Sequence, residues 1–123
     1  MTQDTSPLNK FIENSQAQMR RGTLELVILA IIGKGPVYAG DILAQLTEAK
    51  LIVVEGTLYP ILSRFRRESL VTYEWQESEV GPPRKYYALT DDGTKVLQTL
   101  RVSWNTLHIS LRSILKPSER TKK

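Results

Sequence analysis

The sequence predicts a mainly α fold with one small β-hairpin (α+β). Three observations carry this. Apolar residues recur at helical spacing in four segments. A single stretch alternates with period two and is followed by Gly81-Pro82-Pro83. The last segment before Pro117 carries an unbroken apolar seam spaced by threes and fours. The chain has 123 residues, 41% of them hydrophobic. That suits one globular domain and excludes a disordered chain.

Residues 1–15 read as a flexible lead-in, since Pro7 and the Ser, Thr and Asn content disfavour a packed element, although Leu8, Phe11 and Ile12 allow a short helical turn. Residues 16–33 read as a helix. Leu24 and the run from Leu26 to Ile32 leave almost no polar face beyond Glu25, so this helix should be central. Gly33 and Gly35-Pro36 stop it. Residues 39–50 form a second helix with Ile42, Leu43 and Leu46 inward. The β-branched connector Ile52-Val53-Val54 follows.

Residues 56–68 form a third helix, with Leu58, Ile61, Leu62 and Phe65 at i, i+3, i+4 and i+7. Pro60 lies near its first turn, where a missing N–H costs little. Residues 70–77 read as a strand with Val71, Tyr73 and Trp75 on one face. Residues 84–89 make its hairpin partner, with the tip at 78–83. Thr90 caps a final helix that has Asp91 and Asp92 in its first turn and runs to about Leu115.

Three helices, a hairpin and a long helix, in that order, are the element order of a winged helix-turn-helix domain. The expected organisation is a winged helix-turn-helix DNA-binding domain at 16–90, a long C-terminal dimerisation helix at 91–116 and a basic tail at 117–123.

The net charge of +4 favours an anionic partner, though modestly. Its placement says more. The third helix opposes its apolar stripe with Thr57, Tyr59, Ser63, Arg64, Arg66 and Arg67. Arginine can donate two parallel hydrogen bonds to guanine in the major groove, and hydroxyls can bond phosphates or base edges. The hairpin adds Arg84-Lys85, a basic wing able to reach backbone phosphates. Strand alternation sets Lys85 and Tyr87 on one face and Arg84 and Tyr86 on the other, with one tyrosine turned into the core.

The final seam is Leu97, Leu100, Trp104, Leu107, Leu111 and Ile114. Three short helices cannot cover so long an apolar surface, whereas a second copy can. The competing reading folds this helix back over its own core. Trp104, mid-seam, either packs against its symmetry mate or flanks a flat ligand.

With no cysteine, one histidine (His108), no phosphate loop and no paired carboxylates, neither an enzyme nor a metal site is expected, and no cofactor. The first 20 residues are polar, and Leu26 to Ile32 is too short to span a bilayer. A cytoplasmic protein with no membrane partner is expected.

Two longer motifs sharpen the reading. Glu55-Gly56-Thr57-Leu58-Tyr59-Pro60-Ile61-Leu62 and the run from Gly81 to Gly93, GPPRKYYALTDDG, resemble the signatures of PadR-type transcriptional regulators. The resemblance covers about residues 19–115 and is closest to the compact subfamily with a single C-terminal helix. It implies a homodimeric regulator, usually a repressor, joined through the first and last helices. The Gly-Thr-Leu-Tyr-Pro helix would enter the major groove of double-stranded operator DNA. Thr57, Tyr59 and Pro60 then belong to the reading motif, and Arg84, Lys85 and Tyr87 to the wing. The resemblance also implies a pore at the dimer interface for a planar aromatic effector. Trp104 would line it, with Met19 and Leu26 as neighbours.

The chain departs from the pattern at Ser69, where a glycine suits a left-handed helix end, at Arg66, and at Ala39. A reading from another class, a winged-helix adaptor binding an acidic protein, is opposed by the arginine-rich third helix and basic wing together.

Overall fold

A computed structural model describes residues 6–51 and 53–117. The element order is α1 (Pro7–Ile32), α2 (Ala39–Glu48), α3 (Glu55–Arg67), β1 (Val71–Ser78), β2 (Gly81–Leu89) and α4 (Asp91–Leu115). This is the expected α+β order. Ile52 of the connector and residues 118–123 of the expected tail lie outside the described residues.

One boundary is corrected. Helix α1 begins at Pro7, not near residue 16, so most of the expected lead-in is helical and only residues 1–5 of it lie outside the described range. The Ser6 side chain accepts a hydrogen bond from the Asn9 N–H, and Pro7 occupies the first helical position. Ser-Pro is a helix start in this setting, because proline's missing N–H would have no partner there anyway. The other boundaries move by a residue or so, except that β2 extends back to Gly81 and the hairpin turn narrows to Glu79-Val80.

The core is built from the second half of α1 (Leu24, Ile28, Leu29, Ile32) against Ile42 and Leu46 of α2, and Leu58, Leu62 and Phe65 of α3. Val71, Tyr87 and Leu97 close it from the hairpin and α4. Nine side chains in this core are almost wholly shielded from water. The apolar stripes read from the sequence are the ones that meet here.

Helices α2 and α3 end in the same way. The N–H of Leu51 reaches the Leu46 carbonyl (2.8 Å) and that of Lys50 reaches Thr47 (2.9 Å). Leu70 and Ser69 repeat the pattern onto Phe65 and Arg66. These are Schellman motifs, and they put Lys50 (φ 64°) and Ser69 (φ 61°) in the left-handed region. The conformation that favours glycine is therefore kept at Ser69, at a cost of roughly 1 kcal/mol.

The hairpin is anchored at three places. Its strands pair from Val71↔Leu89 to Ser78↔Gly81, with an irregularity between Gln76 and Ser78. Tyr87 exchanges both backbone hydrogen bonds with Val37 of the α1–α2 connector (2.7 and 3.1 Å). At its exit, Thr90 donates to the Ser69 carbonyl (2.7 Å) and accepts from the Gly93 N–H (3.0 Å), while its own N–H reaches Leu70 (3.0 Å). The end of α3, the end of β2 and the start of α4 thus meet at one threonine.

Gly93 makes this junction possible. A Cβ there would stand 2.0 Å from the Leu70 carbonyl oxygen. A backbone carbonyl cannot yield as a flexible side chain can, so only glycine fits.

Only the first part of α4 packs on its own chain. Leu97 is buried and Leu100 half-buried, whereas every residue from Arg101 to Pro117 is exposed. This corrects the reading of the seam as one interface: Leu97 belongs to the core, and the seam left uncovered starts at Trp104. No described helix is long and apolar enough to cross a membrane.

Gly93→Ala is expected to lower folding stability by about 3 kcal/mol, and Ser69→Gly to raise it by about 0.5–1 kcal/mol. Denaturant unfolding of both variants at one protein concentration checks the opposite signs.

Candidate nucleic-acid interface

Helix α3 buries Leu58, Leu62 and Phe65. At about 100° per residue, Gly56, Pro60, Ser63 and Arg67 point directly away from that stripe. The flanks differ. Glu55, Tyr59 and Ser63 line a cleft of about 510 Å³ shared with Tyr38, Trp75 and Arg84. Ser63, Arg66 and Arg67 line a second, of about 390 Å³, shared with Tyr73, Lys85 and Tyr87. Both clefts lie between α3 and the hairpin; the first takes its cations, Arg84 and Lys85, from the hairpin alone, and the second takes them from both sides.

The opposite flank faces α1. Thr57 and Ile61 line an apolar groove there with Leu24, Val27, Leu51 and Val53. Arg64 donates from Nη2 to Glu25 Oε2 of α1. Grouping the polar residues of α3 on one face is therefore corrected: Tyr59, Pro60, Ser63, Arg66 and Arg67 form the wing-side and outer surface, while Thr57 and Arg64 sit toward α1.

The wing cations rest on aromatic rings. Lys85 Nζ lies 4.5 Å from the centre of the Tyr73 ring and 5.4 Å from that of Trp75. Arg66 of α3 lies over the same Tyr73 ring at 5.1 Å. On the other face of the hairpin, Arg84 stacks over Tyr38 at 4.3 Å, and Tyr38 meets Tyr86 with ring centres 5.6 Å apart. A cation over an aromatic face is attracted by its quadrupole, by about 0.5–1 kcal/mol at exposed sites. The rings fix where these charges stand while leaving them half-exposed or exposed to a ligand.

Tyr87 is the tyrosine turned inward. It is 6% exposed and pairs with Tyr73 across the strands, ring centres 5.8 Å apart. Burial chiefly, and then the neighbouring Tyr59 and Tyr73, raise its phenol above the ordinary value of 10.0. The expectation that Tyr87 is an open contact residue of the wing is corrected: Tyr87 supports the wing from beneath.

Tyr73 and Tyr38 carry no signal in the sequence, because their role depends on partners distant along the chain, whereas Arg66 belongs to the polar face of the third helix read from the sequence.

The residues expected around an effector are not gathered in one chain. Trp104 is 40% exposed and stacks on His108 at 4.9 Å, with the rings 9° from parallel. Met19 is 73% exposed. Leu26 lines a separate cleft of about 350 Å³ with Ala30, Gln45 and Arg101. No group of acidic, histidine or cysteine residues that could hold a metal occurs among the described residues.

A helix-turn-helix with a cationic reading helix and a cationic wing defines the class of winged-helix nucleic-acid-binding proteins. Residues 28–99 match the PadR-like family of transcriptional regulators, and the chain belongs to that family. Solved structures agree. A PadR-like transcription factor from Bacteroides fragilis is 50% identical, covers 82% of this chain and 98% of its own, and superposes with a TM-score of 0.68. A PadR-like regulator from Bacillus cereus is 34% identical over 82% of this chain and 99% of its own, with a TM-score of 0.75. One from Eggerthella lenta is 27% identical over 90% and 97%, with a TM-score of 0.81. The chain is thus a DNA-binding transcriptional regulator, not an enzyme.

Lys85→Ala is expected to weaken binding about equally on all duplexes and to reduce the salt slope by about 1. Tyr73→Leu should weaken binding several-fold at an unchanged slope, since it misplaces charges without removing them, and Tyr73→Phe should retain wild-type affinity. Titrations at three salt concentrations separate the two effects.

Proposed function

We propose that this chain is a homodimeric repressor acting in the cytoplasm on a palindromic operator, released by a small planar hydrophobic ligand at the dimer interface. The observation that carries the reading is the pairing of a cationic α3–wing surface with an uncovered apolar seam on α4. Tyr59, Pro60, Ser63, Arg66 and Arg67 approach the major groove, and Arg84 and Lys85 the flanking phosphates.

Beyond Leu100, α4 continues for about 22 Å with Trp104, Leu107, Leu111, Ile114 and Leu115 all exposed. The first half of α1 likewise exposes Leu8, Phe11, Ile12 and Met19. A monomer seldom exposes so much contiguous apolar surface, and a second copy related by a two-fold axis covers both helices at once. That pairing brings two copies of Trp104 toward the axis, and two indoles there suit a flat apolar ligand. A ligand that favours one spacing of the two wings over another shifts affinity for two half-sites.

Three experiments test this. Fluorescence anisotropy compares duplex DNA from upstream of the protein's own gene with a scrambled duplex at two salt concentrations. A preference of about 10³-fold with steep salt dependence is expected. Weak and equal binding to both would place the operator elsewhere, and no binding at low salt would favour the protein-adaptor reading. Leu111→Glu should shift the chain to monomer in sedimentation and abolish the preference. Planar hydrophobic dyes should quench the wild type well beyond Trp104→Ala, in which Trp75 supplies the remaining emission.

A further inference from the structure

The chain carries 17 Lys and Arg and 13 Asp and Glu, yet among the described residues one ion pair forms, Arg64 with Glu25. It joins the reading helix to α1 across 39 positions. Glu68, the residue that caps the end of α3, is four positions from Arg64 and lines the same cleft, but the guanidinium bonds to Glu25. Both ends are set on rigid ground. Glu25 follows the buried Leu24, and Arg64 precedes Phe65, which is 2% exposed.

The position of the pair matters. It borders a cleft of about 270 Å³ that Val96 and Leu100 of α4 also line. Glu25 also lines the apolar groove between α1 and α3. Side chains of α1, α3 and α4 therefore line one cleft beside this ion pair.

We propose that Glu25 is a positioning residue for DNA reading: its ion pair with Arg64 ties α3 to α1 and withholds the Arg64 guanidinium from DNA phosphates. This rests on the α3–wing surface being the DNA-binding one. Arg64 is then a tether rather than a contact, and displacement of α1 is passed to the reading helix through a charge-assisted hydrogen bond. The two side chains are 46% and 44% exposed, so solvent screens the pair and its loss should change affinity by no more than about 5-fold.

The test uses the full chain and the tightest duplex that the wild type selects from a random pool, with a scrambled duplex beside it. Arg64→Gln should leave the salt slope unchanged. Glu25→Gln should raise the slope by about 1 and strengthen binding to the scrambled duplex, because the freed guanidinium reaches a phosphate. Glu25→Arg alone should raise the slope as Glu25→Gln does, and adding Arg64→Glu, which re-forms the pair in reverse, should return the slope to the wild-type value. A slope about 1 lower in Arg64→Gln would make Arg64 a phosphate contact and overturn the proposal. A DNA-free double-mutant cycle on unfolding should show coupling between positions 25 and 64, and its absence would overturn the tether itself. If the wild type selects no duplex at all, the DNA-binding surface has been misassigned, a failure distinct from either.

Discussion

Everything that faces outward in this protein depends on one close approach, the backbone of Gly93 against the Leu70 carbonyl. That contact lets α4 start where α3 and the hairpin end. Thr90 then bonds Ser69, Leu70 and Gly93 together. The angle between the reading helix and the wing, and the direction in which α4 leaves the core, are set by the same few backbone atoms. A rigid junction of this kind is what two separate functions in a small domain require. In the proposed homodimer, pairing through α4 fixes the placement of α3 without any flexible element between them.

The second constraint is how cations are held. Lysine and arginine side chains carry large rotamer entropy, which binding must otherwise overcome. Here Lys85 and Arg66 share the Tyr73 ring and Arg84 rests on Tyr38. Tyr73 rests in turn on Tyr87, which is buried and bonded to Val37. The wing's charges are thus placed by a stack that reaches the core, so a basic hairpin on a small domain can present a defined spacing to a charged backbone.

Much of this was legible in the sequence, and the exceptions have physical causes. Helical periodicity named the buried residues of α3, and alternation named the face shared by Lys85 and Tyr87, because these follow from covalent geometry. Ser69 was legible as a strained helix end because a six-residue backbone motif demands the left-handed region. The start of α1 was missed through reading Pro7 as a breaker, although after Ser6 it is a helix opener. Arg64 and Thr57 were grouped with the reading face because polarity alone cannot tell which flank of a helix meets a neighbour. The seam of α4 could not be divided either. Its heptad spacing is continuous, and only the length of the core shows that coverage ends after Leu100.

Lysine acetylation with and without bound duplex, read by mass spectrometry, tests whether the surface between α3 and the wing is the one that meets DNA. Lys85 lies in that surface, whereas Lys34 borders the cleft of Leu26 and Arg101 and Lys95 sits on the first turns of α4. DNA should protect Lys85 strongly, with Lys34 and Lys95 reacting as in the free protein. Lys85 remaining as reactive in the complex as in the free chain would contradict this assignment.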